Sequence, residues 1–151
     1  MIKAILFDFN GVIIDDETIQ MKAYTEVLSG HEIALTEELY FGALGMDDKT
    51  FVRSMFAHAK KPLNDEMLDE VLGAKTDLHR QMIEELPLFP GVLTFLKAAS
   101  REFQLGLVSM ANKAEVGYVF QRANLTPLFS IVITAGMLRC ASPRRIVTSR
   151  D

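Results

Sequence analysis

Lys3-Ala4-Ile5-Leu6-Phe7-Asp8-Phe9-Asn10-Gly11 is a short apolar run that ends in a carboxylate and a turn signal. Residues 3–8 are apolar without clear alternation, the pattern of a strand buried in a parallel sheet. Asn10-Gly11 marks the turn that follows. Beyond it the period changes. Asp15 and Asp16 offer N-caps to a helix over about 17–29 that Gly30 closes. Thr36, followed by Glu37 and Glu38, starts a second helix ending near Gly42 or Gly45. A third runs from Asp47 to about Lys60, where Lys61-Pro62 breaks it, and Asn64 caps a fourth reaching Leu86. Gly73 interrupts that fourth helix at a cost of ~1 kcal/mol relative to Ala, enough for a kink.

Pro87, Pro90 and Gly91 punctuate the chain, and strands return. Residues 92–102 read as helix, 104–109 as a buried strand, 113–123 as helix and 130–134 as a third strand. Strands alternating with helices imply parallel crossovers. The expected fold is therefore α/β. A Rossmann-like parallel-sheet core is built from 1–15 and 87–151, with an all-helical cap inserted at 16–86.

The 151 residues are 49% apolar and 24% charged, the balance of a globular domain. No apolar run approaches the ~20 residues that span a bilayer, and the N-terminus lacks the pattern of a secretory signal. The lone Cys140 cannot form an internal disulfide, so a cytoplasmic location is expected. A net charge of −4 argues against nucleic acid as a partner. His31, His58 and His79 share no metal-ligand spacing. Neither a Gly-x-Ser-x-Gly elbow nor a Walker loop is present.

Ligands of open parallel sheets bind beyond the carboxyl ends of the strands. Two of the three expected strands end there in polar groups, Asp8 and Ser109. An ionised Asp before a Gly-containing turn suits a nucleophile or a metal ligand. Ser109, with Met110, Ala111 and a helix start behind it, suits a phosphate site. The bland alternative is that both residues cap the structure that follows them.

Phe7-Asp8-Phe9-Asn10-Gly11-Val12-Ile13-Ile14-Asp15 resembles the first motif of the haloacid dehalogenase superfamily, usually Asp-x-Asp-Gly-[Val/Thr]. The phosphatase and β-phosphoglucomutase-like branch is the most similar. It inserts a helical cap after the first strand, re-enters the core through a Pro-Gly segment (here Pro90-Gly91), and ends the next strand in Ser or Thr (here Ser109). The resemblance covers about 1–135. It implies that Asp8 attacks a phosphate monoester and becomes an aspartyl-phosphate. Asp8 and the backbone carbonyl of Asn10 would bind Mg²⁺, while Ser109 with the amides of Met110 and Ala111 would hold the phosphoryl group. In the cap, Glu17 and Gln20 are the implied substrate contacts; Lys49, just after Gly45-Met46-Asp47-Asp48 where the cap's substrate loop would lie, reads equally as a substrate contact or as a surface Lys at a helix start. The expected partner is a small phosphorylated metabolite.

The chain departs from that pattern in three places. The second carboxylate of the first motif, the usual general acid and base, is Asn10, and an amide does not exchange protons near neutral pH. Close relatives often carry Glu-x-x-His on the first cap helix; Glu17 matches, but Gln20 stands at the His position, which favours a phosphatase over a mutase. Haloacid dehalogenation, which needs no Mg²⁺, is the weaker alternative. After Thr134 the family's Lys is Ser142, before Pro143, and no acidic pair follows, so the core is expected to be truncated or altered beyond about residue 135. A catalytically inactive, phospholigand-binding remnant is the competing reading. Without further strands, residues 3–8 would form an open sheet edge, and self-association through it is expected.

Overall fold

In the computed structural model, residues 1–137 are described. The expectations that fall on Cys140, Ser142 and Pro143 lie outside them. The order is β1 (Ala4–Phe7), α1 (Glu17–Ser29), α2 (Glu37–Gly42), α3 (Asp48–His58), α4 (Asp65–Met82), α5 (Val92–Ala99), β2 (Gln104–Val108), α6 (Lys113–Arg122) and β3 (Phe129–Ile133), with a 3₁₀ turn at Thr126–Leu128. The three strands form one parallel sheet in the order β1-β2-β3. Leu6 lies opposite Gly106, and Gly106 opposite Ile131.

Side-chain alternation then divides the sheet. Ile5, Phe7, Leu105, Leu107 and Val132 belong to a core with Phe9, Ile13, Ile14, Leu96, Val116, Val119 and Phe120. Leu6, Val108 and Ile131 sit on the other face and are exposed. Gly106 is the close-approach point of that face. A Cβ there would lie 2.5 Å from Leu6 Cδ2 and 3.0 Å from Ile131 Cγ2, so any larger residue would push those two exposed side chains aside.

A second apolar cluster belongs to the inserted helices: Tyr24, Leu28, Ile33, Tyr40, Phe51, Val52, Phe56, Leu68 and Val71. Thr36, Asp47 and Asn64 cap α2, α3 and α4 through their side chains. The two crossings between the clusters lie side by side: Asp15 N donates to Pro87 O at 2.7 Å and Phe89 N to Ile13 O at 3.2 Å. The result is an α/β Rossmann-like core with a helical cap.

Several local readings differ in detail. The fourth helix ends at Met82, not Leu86, because Ile83 and Leu86 turn back into the core cluster. Gly73 does not interrupt it; the residue is exposed on a continuous helix. Asp16 occupies the N-cap position of α1 but makes no capping bond, since its carboxylate is committed elsewhere.

Candidate active site

The turn after β1 delivers the first site residues. Phe9 O accepts from the amides of Ile13 and Ile14, and Gly11 adopts φ 74°, a left-handed conformation glycine takes without strain. This knot holds Asp8 and Asn10 at the strand tip. Asp8 is exposed, and its Oδ1 accepts from Phe9 N at 2.7 Å. Beside it, at the tip of β2, Ser109 is buried, and its Oγ accepts from Ala111 N at 3.2 Å. That bond leaves the Ser109 hydroxyl hydrogen and the Met110 amide as the outward donors.

Asp8, Asn10, Ser109, Met110 and Ala111 line one cavity of about 270 Å³. Its opposite wall is the cap, with Glu17, Gln20, Tyr24, Tyr40, Asp48 and Phe51, and Glu115 of α6 completes it. Lys49 is not there. It is exposed, lies 3.9 Å from Asp69 Oδ1, and lines a separate cleft with Thr76, Arg80 and Lys113.

Behind the cavity lies a buried polar network that joins cap to core. Asp16 is its hub. Its carboxylate accepts from Asn10 Nδ2 at 2.9 and 3.0 Å, from Gln20 Nε2 at 2.9 Å, and meets His79 Nε2 at 2.8 Å. Burial alone would raise the Asp16 carboxyl pKa, but the bonds from His79, Asn10 and Gln20 together hold it below its usual value. The second centre is Glu115, which accepts from Gln20 Nε2 at 3.0 Å and from Lys75 Nζ at 2.7 Å. Lys75 is 1% exposed; it also lies 3.6 Å from Asp48 Oδ1 and stacks over the Tyr24 ring at 4.7 Å. Asn112 caps α6 and bonds Asp48 Oδ2 at 2.9 Å.

Tyr24 donates to Asp48 Oδ1 and Tyr40 to Glu17 Oε1, both at 2.5 Å. Burial, reinforced by those carboxylates, pushes both phenol pKa values up, so each hydroxyl keeps its hydrogen.

Of the residues singled out in the sequence, Asp8, Asn10, Glu17, Gln20, Ser109, Met110 and Ala111 come together, and Lys49 does not. Asp16, Tyr24, Tyr40, Asp48, Lys75, His79, Asn112 and Glu115 were missed. A signal existed for two of them. Leu68, Val71, Lys75 and His79 share one stripe of α4 at helical spacing, and a Lys and a His on an apolar stripe have to be paired.

A Mg²⁺ ion takes oxygen ligands and commonly rests on one or two carboxylates plus water and substrate phosphate. The Asp8 carboxylate and the Asn10 carbonyl fit that minimal donor set. The described residues contain no group of three His, Cys, Asp or Glu that would complete a cage.

A family model for haloacid dehalogenase-like hydrolases matches residues 2–146. YhcW of Bacillus subtilis is 28% identical over 146 residues, covering 89% of this chain and 61% of its own. A phosphorylated carbohydrates phosphatase of Thermotoga maritima is 21% identical over 142 residues, covering 93% and 65%. The chain thus spans somewhat less than two thirds of the length of these curated relatives. Among solved structures, a β-phosphoglucomutase from Clostridium difficile superposes with TM-score 0.80 at 20% identity, over 95% of this chain and 66% of that one. CbbY from Rhodobacter sphaeroides in complex with phosphate gives 0.76 at 21% identity, over 91% and 65%. With a family model spanning nearly all of the sequence, the chain belongs to the haloacid dehalogenase-like hydrolases.

Proposed function

We propose that this chain carries the phosphate-handling half of a Mg²⁺-dependent phosphohydrolase of small phosphorylated metabolites, acting through Asp8. One observation carries the reading. Asp8, Asn10 and Ser109 converge at the carboxyl ends of neighbouring parallel strands, on one wall of a cavity closed by a cap. The relatives' names, a phosphorylated carbohydrates phosphatase and a protein bound to phosphate, agree with it. A cytoplasmic location accords with the single cysteine; no described helix is long and apolar enough to cross a membrane.

In this reading an Asp8 carboxylate oxygen attacks phosphorus, the bond to the leaving oxygen breaks, and an aspartyl-phosphate forms. Ser109 and the Met110 amide donate to the phosphoryl oxygens. Bound Mg²⁺ would offset repulsion between the carboxylate and the anionic substrate. Asn10 cannot lend a proton to the leaving oxygen, so that oxygen takes one from water. Water then hydrolyses the acyl phosphate without a general base at position 10. General acid–base help is typically worth about 10²–10⁴-fold, so turnover is expected to be slow.

The test is phosphate release from an aryl phosphate with Mg²⁺, a substrate whose leaving group needs no proton. Asp8→Ala should abolish it, and activity surviving that change would refute the proposal. Asn10 also favours a second reading, phospholigand binding without turnover. Asn10→Asp separates the two. Its new carboxylate would sit about 3 Å from Asp16 and share a proton with it, entering the site as an acid. A large gain in turnover supports an enzyme; none supports a binding module.

A further inference from the structure

The cavity has two chemically opposite ends. At the strand tips, the cavity is lined by Ser109 and Met110, whose hydroxyl and amide hydrogens have no protein acceptor among the described residues. In the cap half, the donor hydrogens of every polar side chain are already spent. Gln20 is 8% exposed, and its amide nitrogen is divided between Asp16 and Glu115. On the strand-tip wall, Asn10 turns its nitrogen to the same Asp16 carboxylate. Gln20 therefore has only its carbonyl oxygen left for the cavity, and this orientation is fixed by chemistry, since a carboxylate accepts and does not donate. Tyr24 and Tyr40 give their hydrogens to Asp48 and Glu17. Glu17, Asp48 and Glu115 are acceptors by nature. The nearby cation, Lys75, is turned inward onto Glu115 and Asp48, and no Lys, Arg or His lines the cavity among the described residues.

We propose that the cap half selects a phosphate monoester whose organic part brings hydrogen-bond donors and no second negative charge, that is, a polyol or an amino alcohol or amino sugar. This rests on the phosphohydrolase reading and narrows it. A second phosphate or a carboxylate would share the cavity with Glu17 and Asp48, and like-charge juxtaposition is unfavourable. A donor-free ligand would leave buried acceptors unpaired, the situation in which polar sites discriminate best. Glu17 and Asp48 are the specificity-determining residues, with the Asp16 hub holding Gln20 in its acceptor orientation.

The experiment is calorimetric titration of the full chain carrying Asp8→Asn, with Mg²⁺ present, so that binding is read without turnover. The probes are inorganic phosphate, a hexitol monophosphate, a hexosamine monophosphate, a hexose bisphosphate and phosphoglycolate. The hexitol or hexosamine ester should bind at least about tenfold more tightly than the bisphosphate and phosphoglycolate, and their ranking tells hydroxyl from ammonium recognition. Equal or tighter binding of the bisphosphate or phosphoglycolate overturns the proposal while leaving the phosphohydrolase reading intact. If inorganic phosphate and every ester fail to bind, both fall together. Glu17→Gln, a partly exposed change that keeps an acceptor for Tyr40, should cut the preference roughly tenfold. An unchanged preference in that folded variant also overturns it.

Discussion

Two regions of this molecule reverse the usual relation between polarity and burial. At the seam between α4 and α6, Lys75 and His79 are 1% and 0% exposed, packed against Glu115 and Asp16. On the outer face of the sheet, Leu6 and Ile131 are 67% and 50% exposed. Charges inside must be paired, because taking them out of water costs more than their attraction returns unless the geometry is good. Hydrocarbon outside on a parallel sheet has the opposite implication, since such sheets are ordinarily covered on both faces. The seam is a closed arrangement with nearly every polar atom assigned; the sheet face is a surface with room for a covering partner. Among the described residues, His79 Nδ1 and Thr134 Oγ1 are the buried side-chain atoms without a hydrogen bond.

The largest expected effect comes from breaking the seam. Lys75→Met leaves Glu115 buried without its cation and Asp48 without its neighbour. Removing one partner of a buried pair costs about 3–5 kcal/mol, which denaturant titration would register as a fall in midpoint. The double change Lys75→Met with Glu115→Leu removes both charges and should recover most of that loss. A single variant as stable as the parent would mean that the pair is hydrated and the seam open in solution.

How much of this was legible in the sequence follows the same division. The run of residues 3–8, the caps at Thr36, Asp47 and Asn64 and the Pro90-Gly91 re-entry are local signals that place the elements, but β1, read as a buried strand, is exposed or half-buried along its length because the sheet ends at it among the described residues. Asp8 and Ser109 were readable because strand ends in a parallel sheet converge by topology, and Asn10 through the resemblance of its motif. The seam was not, because it is made of contacts such as Gln20 to Glu115 and Lys75 to Glu115, between residues 95 and 40 positions apart. Asp16 shows the limit best. Its sequence position says N-cap, and the capping bond is forgone because Asn10 and Gln20 nearby, and His79 from 63 positions away, hold the carboxylate instead. Lys49 shows the converse: its neighbours in sequence suggested the substrate loop, but α3 carries its side chain to the far side of the cap wall.

The sheet faces provide a sharper comparison within one element. Leu107 and Leu6 sit on neighbouring strands, one register step apart and on opposite faces. Leu107→Ala removes a fully buried side chain and should cost about 2–5 kcal/mol. Leu6→Ala should stay within about 0.5 kcal/mol, as exposed changes do. If copies associate through β1, an edge strand among the described residues, Leu6→Lys should shift sedimentation toward monomer without altering the unfolding midpoint of that monomer. A stable monomer in the parent chain would refute association through the edge.

Acid is the gentlest probe of the difference, because it acts on the seam and leaves hydrocarbon alone. Asp16 has a folded-state pKa below its unfolded value, so its contribution is fully present above the ordinary Asp range, near pH 4. That contribution is lost as pH falls through the lower folded value, since the unfolded chain binds the proton first. In metal-free protein, the unfolding midpoint of the parent should therefore drop on acidification below about pH 4. Asp16→Asn removes the titrating hub and should give a shallower drop over the same range, starting from a lower stability at neutral pH, where His79 has lost its carboxylate. Leu6→Ala should keep the parent's slope. Parallel acid profiles in the parent and Asp16→Asn would show that the buried carboxylate is not held ionised by His79, Asn10 and Gln20, and the seam would then differ from the open face in burial alone.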